Sequence, residues 1–180
     1  MSTYQLSLVP PLVSFEKISE DAMNECLVAW GHKMGPLHRP MHKPDCYGLM
    51  HYGEIVGVIA SSSLIPKALC GLTRENTIEV SRLCAARSGL CSVVLRLWRE
   101  FVFPTMGYEY AISYQDEALH TGNIYRFDSW ERLGRSRSGT DRRSGRIGRS
   151  KTIWVWCRDW SNPNVSRSSR LDQLRRLVDE

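Results

Sequence analysis

The chain has 180 residues and a mass of 20.6 kDa, with 42% hydrophobic, 24% charged and 9% aromatic residues and a formal net charge of +5. This length and composition exclude a disulfide-stabilised miniprotein, a fibre and a disordered tail. The uninterrupted apolar runs are far shorter than the ~20 residues that a membrane-spanning helix needs. The sequence therefore predicts one domain over residues 1–160, followed by a tail at 161–180.

The first half of the chain predicts a strand, a helix and a hairpin. Residues 5–15 are apolar but interrupted by two prolines, which favours a short edge strand. Ser19 is a suitable N-cap for a helix at about 19–31, in which apolar residues recur at helical spacing. An irregular loop at 35–45 follows, and two strand-forming runs around a glycine-containing turn predict a hairpin over 46–61.

The second half predicts a strand, helix and strand that form one unit. Alternating apolar residues predict a strand at 77–84, apolar residues at i, i+3, i+4 spacing predict a helix at 89–103, and 108–114 is again typical of a strand. Such a connection requires a parallel strand pair. With a short helix at 120–129 and a last strand at 152–157, the predicted class is mixed α/β (α+β), with a functional crevice where the parallel strands end.

Two segments near the end of the chain have distinct compositions. Residues 135–149 hold six arginines and one aspartate, and without them the chain has 18 basic and 18 acidic residues. Flexible guanidinium-rich segments bind phosphates with release of counterions, which favours a nucleic-acid loop over a solubilising insertion. The predicted phosphate ligands are Arg135, Arg137, Arg142, Arg143, Arg146 and Arg149. In the tail, Leu171, Leu174, Leu177 and Val178 predict a short amphipathic helix.

The compartment is predicted from the start of the chain and from the cysteines. The first residues lack the basic segment and the apolar stretch of a signal peptide. The six cysteines include no Cys-x-x-Cys pair, and four of them lie among apolar neighbours. These features predict a cytoplasmic protein with reduced thiols and no membrane segment.

Four segments resemble a known group of enzymes. They are Glu79-Val-Ser-Arg-Leu-Cys, Leu95-Arg-Leu-Trp-Arg-Glu, Ile112-Ser-Tyr-Gln-Asp and His120-Thr-Gly-Asn-Ile-Tyr-Arg-Phe-Asp-Ser-Trp. Together with the order of elements, they resemble the GNAT acyltransferases. Within that group they are similar to the Mom-like branch of DNA-modification proteins of phages and bacteria. The similarity is most specific at 112–130.

This resemblance implies an enzyme, and through its branch a phage or bacterial origin. The implied activity is transfer of an acyl-type group from acetyl-CoA or a related donor to the exocyclic amine of adenine in DNA. One alternative is a GNAT N-acetyltransferase that acts on a small-molecule or protein amine. A second alternative is a nucleic-acid-binding protein that has the fold without the chemistry.

The resemblance also implies where the acyl donor binds. GNAT folds hold the donor on a bulged strand and place its pyrophosphate at the N-terminus of the next helix, where unpaired N–H groups favour anions. In this chain that region comprises Leu83, Cys84, Arg87, Ser88, Gly89, Leu90, Cys91 and Ser92. An ordinary helix start at this turn is the alternative.

The predicted reaction centre follows the strand at 108–114. Its residues are Ser113, Asp116, His120 and Tyr125, and the resemblance adds Arg82. An imidazole can accept the proton of an attacking amine, a carboxylate can orient that imidazole, and a phenol can protonate the leaving group. The structural alternative is that Asp116 and His120 cap the following helix while Tyr125 packs on the sheet.

The loop after the first helix holds the remaining candidates. The resemblance favours His32, His38 and Arg39 as residues of a substrate loop. These histidines, with His42 and Cys46, also offer soft metal ligands. The repeated prolines do not fit a zinc-site spacing, so no metal is predicted.

Overall fold

The structure is a computed structural model that describes residues 12–42, 44–69, 71–136, 150–161 and 166–176. Its strands are β1 (Val13–Ile18), β2 (Asp45–His51), β3 (Glu54–Ser63), β4 (Ala68–Leu69), β5 (Leu72–Thr73), β6 (Thr77–Ala85), β7 (Tyr110–Asp116), β8 (Glu131–Arg135) and β9 (Lys151–Cys157). Its helices are α1 (Glu20–Ala29), α2 (Leu90–Leu97), α3 (Asn123–Phe127) and α4 (Arg167–Arg176). A π-helical segment, Trp98–Val102, continues α2.

The main sheet has the order β1-β2-β3-β6-β7-β9-β8. Strands β6 and β7 pair in parallel, and the other neighbouring pairs of this sheet are antiparallel. The predicted mixed class, with a strand, helix and strand unit inside a mostly antiparallel sheet, is therefore confirmed.

Helices cover both faces of the sheet. Met23 and Leu27 of α1 pack against Val58 and Ala60 on one face of β3. Successive residues of a strand point to opposite faces, so Gly57 lies on the other face. There it faces Val94 of α2, and a Cβ atom at Gly57 would lie 2.7 Å from a methyl group of Val94. The bare glycine backbone thus lets α2 sit close to β3.

The two parallel strands separate towards their carboxyl ends. Their ladder extends only from Thr77 opposite Tyr110 to Val80 opposite Ser113. Beyond that point β6 continues along β3 to Ala85, and β7 continues along β9 to Asp116. The separation opens the crevice that the sequence predicted at this end of the sheet.

The prediction from the sequence omitted two parts of the fold and placed a third too early in the chain. It did not predict β8, because Glu131–Arg135 has one buried apolar side chain, Leu133, and so lacks alternation. It also missed the two-residue strands of the β4–β5 pair. The first strand was predicted within residues 5–15. In the structure β1 is Val13–Ile18, so it ends three residues after the predicted segment, and it pairs with β2.

The described residues include only the start of the arginine-rich segment. Arg135 is the last residue of β8, and its guanidinium forms an ion pair of 2.9 Å with Glu117. It therefore belongs to the sheet and not to a loop. The other predicted phosphate ligands lie outside the described residues: Arg137, Arg142, Arg143, Arg146 and Arg149.

The structure describes part of the tail and five of the six cysteines. In α4, Leu171 and Leu174 are buried in the core, while Leu177 and Val178 lie outside the described residues. Each cysteine of the described part of the chain is a free thiol. Within the same residues, the helices are too short or too polar to cross a bilayer.

Candidate active site

A cavity of about 430 Å³ occupies the space between the separated ends of β6 and β7. Its walls come from the loop after α1, the second half of β6, the end of β7, the loop into α3 and the start of β9. The residues that line it include His32, Lys33, Arg82, Leu83, Cys84, Cys91, Ser113, Gln115, Asp116, His120, Tyr125 and Lys151. Five segments of the chain thus converge on one opening.

One wall of the cavity is backbone. Past Val80, β6 has β3 on one side and no strand on the other, so alternate N–H and C=O groups of residues 81–85 face the cavity. The β3–β6 register also shifts between Ala60 and Ser61, which leaves Ser81 without a cross-strand partner in the ladder. This bulged edge can pair with an extended ligand that carries amide groups.

The N-terminus of α2 adjoins that wall. Gly89 has φ of +88°, a left-handed conformation that glycine adopts without strain, and it turns the chain from β6 into the helix. The helix start has no side-chain cap; the Leu90 N–H bonds the Arg87 carbonyl at 3.4 Å, and the N–H groups of the rest of the first turn are the ones that an anion can bind. Arg87 and Ser88 are exposed beside this turn.

Two thiols lie in the cavity wall. Burial raises the pKa of Cys91 to about 11 and also raises the pKa of Cys84. Both thiols are therefore protonated at neutral pH and are poor nucleophiles.

Ser113 and Tyr125 meet at the point where the strands separate. Their hydroxyl groups share a hydrogen bond of 2.8 Å, and the Ser113 hydroxyl donates to the carbonyl of Val80 at 3.4 Å. The phenol ring stacks on Trp154 at 5.4 Å between centroids and meets the edge of Trp130 at 5.7 Å. These contacts fix the position of the phenol oxygen.

The environment of Tyr125 also sets its protonation. Burial raises the pKa of Tyr125 to about 12, although its hydrogen bond to Ser113 acts in the opposite direction. The phenol is consequently neutral at physiological pH and is a hydrogen-bond donor.

Two histidines and an arginine form the opposite wall. Arg82 is 8% exposed and donates to the carbonyls of Ser81 at 2.8 Å and Gly35 at 3.4 Å. His32 lies beside it, half-buried, with an Nδ1 atom that has no hydrogen-bond partner in the described part of the chain. Burial lowers the pKa of His32, and Arg82 and His120 lower it further. The His32 imidazole is therefore neutral at pH 7.

The loop from β7 into α3 is held by side chains of the sheet. The Asp116 carboxylate accepts from the backbone N–H of Ala118 at 3.1 Å. Gln115 donates to the carbonyl of His120 at 2.6 Å and accepts from the indole of Trp154 at 2.7 Å. These bonds hold the exposed His120 at the rim of the cavity.

A buried ion pair lies behind the histidine wall. Glu79 is 3% exposed, and its carboxylate accepts from Arg39 at 2.8 Å. Arg39 also donates to the Ser62 hydroxyl at 2.9 Å. Desolvation raises the pKa of Glu79, while Arg39 opposes this shift. The pair ties the loop that carries His32 to strands β3 and β6.

The structure brings most of the sequence-predicted site residues together. Those that line the cavity are His32, Arg82, Leu83, Cys84, Cys91, Ser113, Asp116, His120 and Tyr125. Arg87, Ser88, Gly89, Leu90 and Ser92 form the adjoining turn and the start of α2. His38 is exposed and does not line the cavity, and Arg39 points to Glu79 instead.

Sequence reasoning did not single out Glu79, Gln115 or Lys151 as site residues. Glu79 and Gln115 alternate with apolar residues within strands, which made them resemble solvent-facing positions. In the structure both side chains are buried. Glu79 could have been identified from its position, because a charged residue is rarely buried in a strand such as β6, which pairs in parallel with β7, unless it has a partner.

The histidines do not gather around a metal position. Within the described ranges, the group of ligand atoms that lie within 4.8 Å of one another comprises Glu109, Cys157 and Asp159. None of these three residues lines the cavity between β6 and β7. His42 and Cys46 likewise do not line it.

This architecture is that of the GNAT acetyltransferase fold, as comparison with solved structures shows. The chain is similar to an "IAA acetyltransferase" from Bacillus cereus, with 13% identity, a TM-score of 0.53, and coverage of 81% of this chain and 99% of that one. It is also similar to the aminoglycoside acetyltransferase AAC(6')-Ib in complex with acetyl-CoA, with 15% identity, a TM-score of 0.59, and coverage of 87% and 99%.

A third neighbour is NAA60 of Arabidopsis thaliana in complex with acetyl-CoA, with 8% identity, a TM-score of 0.58, and coverage of 82% of this chain and 99% of the other. No model of a protein family and no curated protein sequence matches the chain. At these identities the likeness establishes the fold, and the activity has to be argued from the cavity.

Proposed function

We propose that the protein is an N-acyltransferase that moves an acyl group from acetyl-CoA, or a related acyl thioester, to an amine. The observation that carries this proposal is the cavity between the separated ends of β6 and β7, with the Ser113–Tyr125 pair at its apex. Support for the donor class comes from structural neighbours that were solved with acetyl-CoA or CoA.

The donor fits the side of the cavity that is made of backbone. The unpaired edge of β6, including Leu83 and Cys84, suits the amide groups of a pantetheine chain. The uncapped start of α2, with Arg87 and Ser88 beside it, suits a pyrophosphate. Both features adjoin the cavity on the side of Cys91, so they describe one continuous binding surface.

The acceptor then lies against the histidine wall. Transfer forms a C–N bond and breaks the C–S bond of the thioester; the amine loses one proton and the thiol product gains one. Neutral His32 is suited to accept the amine proton, with His120 at the rim as the second imidazole. Tyr125 is suited to donate its one hydroxyl proton to the sulfur as negative charge develops there, with the Ser113 hydroxyl then donating to the phenol oxygen instead of to Val80.

A second candidate acceptor is the exocyclic amine of adenine in DNA. It is supported by the placement of the Mom-like segment, since Ser113, Asp116, His120 and Tyr125 all line the cavity. It is also supported by charge, because Lys33, Arg82 and Lys151 line the same cavity with Asp116 as the acidic residue among them. A basic wall suits an anionic acceptor better than a polycationic aminoglycoside.

The donor and the reaction can be tested with the purified protein. We would incubate it with acetyl-CoA and a panel of acceptors, namely a primary alkylamine, an amino-terminal peptide, adenosine and duplex DNA. Released CoA would be quantified by chromatography. The proposal expects CoA release that depends on at least one acceptor. A protein that binds duplex DNA but neither binds nor consumes acetyl-CoA would contradict the proposal and support the non-catalytic alternative.

The adenine candidate needs a separate measurement. Nucleosides of total DNA from cells that express the protein would be analysed by mass spectrometry, beside an Asp116→Ala, His120→Ala double variant. A new adenine adduct that only the unaltered protein produces would support this acceptor, and its mass would identify the transferred group. Unmodified DNA, together with acceptor-dependent CoA release in vitro, would assign the enzyme to a small-molecule or protein amine.

A further inference from the structure

A second cavity lies on a different part of the sheet. It has a volume of about 410 Å³ and is lined by Met41, His42, Asp45, Ser61, Ser63, Ile78, Met106 and Tyr108. None of these residues lines the cavity between β6 and β7. On β3, Ser61 and Ser63 point to one face, whereas Ser62 points to the other and contacts Arg39. A ligand bound here would therefore not share the donor or acceptor positions of the proposed function.

The cavity contains a polar group whose hydrogen bonding is unsatisfied. Ser61 is 1% exposed, and its hydroxyl has no hydrogen-bond partner in the described part of the chain. Buried polar groups in native proteins are nearly always bonded, so such a hydroxyl calls for an explanation. The hydroxyl oxygen itself is closed to solvent, and rotation of the Ser61 side chain would turn it into the adjoining cavity, where a ligand atom would supply the missing bond.

A second polar group stands on the same wall. The Nδ1 atom of His42 and the Ser63 hydroxyl lie 2.8 Å apart, within hydrogen-bond distance. This bond fixes the imidazole ring and leaves its Nε2 atom as the ring nitrogen that can bond a ligand. Ser61 and His42 thus provide two hydrogen-bonding positions next to each other.

The remaining side chains of the cavity are mostly apolar, with Met41 at the open rim, where it is 88% exposed. Ile78, Met41 and Met106 supply aliphatic and thioether groups, and Tyr108 supplies an aromatic ring. Thioether sulfurs make favourable contacts with aromatic rings. The carboxylate of Asp45 already pairs with Lys17 at 2.6 Å, so this acid does not call for a cationic ligand.

We propose that this cavity binds a small, uncharged aromatic molecule that carries a hydrogen-bonding group on its edge, as a phenol does. The ring lies among Met41, Met106 and Tyr108, and its polar edge bonds the hydroxyl of Ser61 and the imidazole of His42. This site is additional to the acyl-transfer site and does not depend on the acyl-transfer proposal.

Methionine methyl groups offer a direct test, because different methionines report on the two cavities. Met41 and Met106 line the second cavity, and Met34 lines the cavity between β6 and β7. The full chain would be labelled with ¹³C at the methionine methyl groups and titrated with p-cresol. We expect saturable shifts of the Met41 and Met106 signals and an unchanged Met34 signal. Addition of CoA should leave the p-cresol affinity unchanged.

Two neighbouring serines supply a variant and a matched control. Ser61→Ala removes the unpartnered hydroxyl, so it should weaken p-cresol binding about fivefold, the effect of one lost hydrogen bond. Toluene, which lacks the hydroxyl group, should bind both proteins equally. Ser62→Ala, on the other face of β3, should leave p-cresol binding unchanged. Urea unfolding would verify that both variants are folded.

The proposal would be overturned by any of three results. The first is a p-cresol titration that gives no saturable shift of Met41 and Met106 up to its solubility limit. The second is a shift of Met34 in place of those two signals, which would assign the ligand to the other cavity. The third is a Ser61→Ala variant that binds p-cresol as tightly as the unaltered protein.

Discussion

At the scale of single residues, Tyr125 carries the most specific chemical assignment. Its phenol is buried, stacked on Trp154 and bonded to Ser113 at 2.8 Å, and burial raises its pKa to about 12. We expect Tyr125→Phe to lower kcat about 100-fold while KM for acetyl-CoA changes little, because the hydrogen bond to the leaving sulfur strengthens only as charge develops. Steady-state kinetics with the acceptor found above would measure both constants.

The matched control for that substitution is Tyr52→Phe. Tyr52 is an exposed residue of the turn between β2 and β3 and lies outside the cavity. Its variant should retain full activity. A Tyr125→Phe enzyme with an unchanged kcat would show that the phenol only supports the packing of α3 on the sheet.

A second residue-scale prediction concerns pH. The ordinary pKa of a histidine is 6.5, and that of His32 is lowered, chiefly by burial and then by Arg82 and His120. A base must be neutral, so kcat/KM should fall on acidification only below pH 6.5, as His32 becomes protonated. Around neutral pH, where His32 is already deprotonated, kcat/KM should not change with pH because of this residue.

The pH profile of His32→Gln provides the check. This variant should be slow and should lack the acidic limb that His32 gives to the unaltered enzyme. The same variant of His120, His120→Gln, should keep an acidic limb, although a displaced one. An acidic limb that persists unchanged in His32→Gln would mean that another group accepts the amine proton.

At this scale, the sequence could predict chemistry where a residue follows the end of a strand. Ser113, Asp116, His120 and Tyr125 follow one another along the chain, and the end of β7 brings all four into one cavity. Arg39 could not be interpreted in the same way. Its guanidinium is directed away from the cavity by Glu79, forty residues further along the chain, and only the fold shows that contact.

At the scale of elements, the loop after α1 depends on buried polar contacts. Glu79→Gln would leave the Arg39 cation without its partner in a buried position. We expect the free energy of unfolding to fall by about 3 kcal/mol, because removal of one member of a buried ion pair is costly. Urea denaturation at neutral pH would measure the change.

The control for this change is an exposed ion pair. Asp45→Asn removes the partner of Lys17, and both side chains are largely open to solvent. Its effect should be less than about 1 kcal/mol. Equal effects of the two substitutions would show that the Arg39–Glu79 pair does not anchor the loop.

Elements with a clear period were predictable, and those without one were not. Helix α1 and strand β6 have capping residues or alternation in their own sequence. Strand β8 does not: Glu131–Arg135 exists because β9 offers it a ladder, with Leu133 as its buried side chain. A strand of this kind is determined by its neighbour, so its local sequence carries little signal.

At the scale of the whole molecule, the fold was more predictable than the acceptor. The order of elements and the resemblance of a few segments led to the correct GNAT-like topology, including the parallel β6–β7 pair. The acceptor depends on side chains that line the cavity and on residues beyond those that the structure describes. Among the latter, the arginines of residues 137–149 carry the prediction of nucleic-acid binding, which stays a prediction.

The central claim is that the space between β6 and β7 holds an acyl-CoA donor. The most direct measurement is a crystal structure of the protein with bound CoA. We predict electron density for the pantetheine chain along residues 81–85 of β6, its pyrophosphate at the start of α2, and its sulfur near Tyr125. Density for CoA at another surface, or crystals without bound CoA at saturating concentration, would contradict the account.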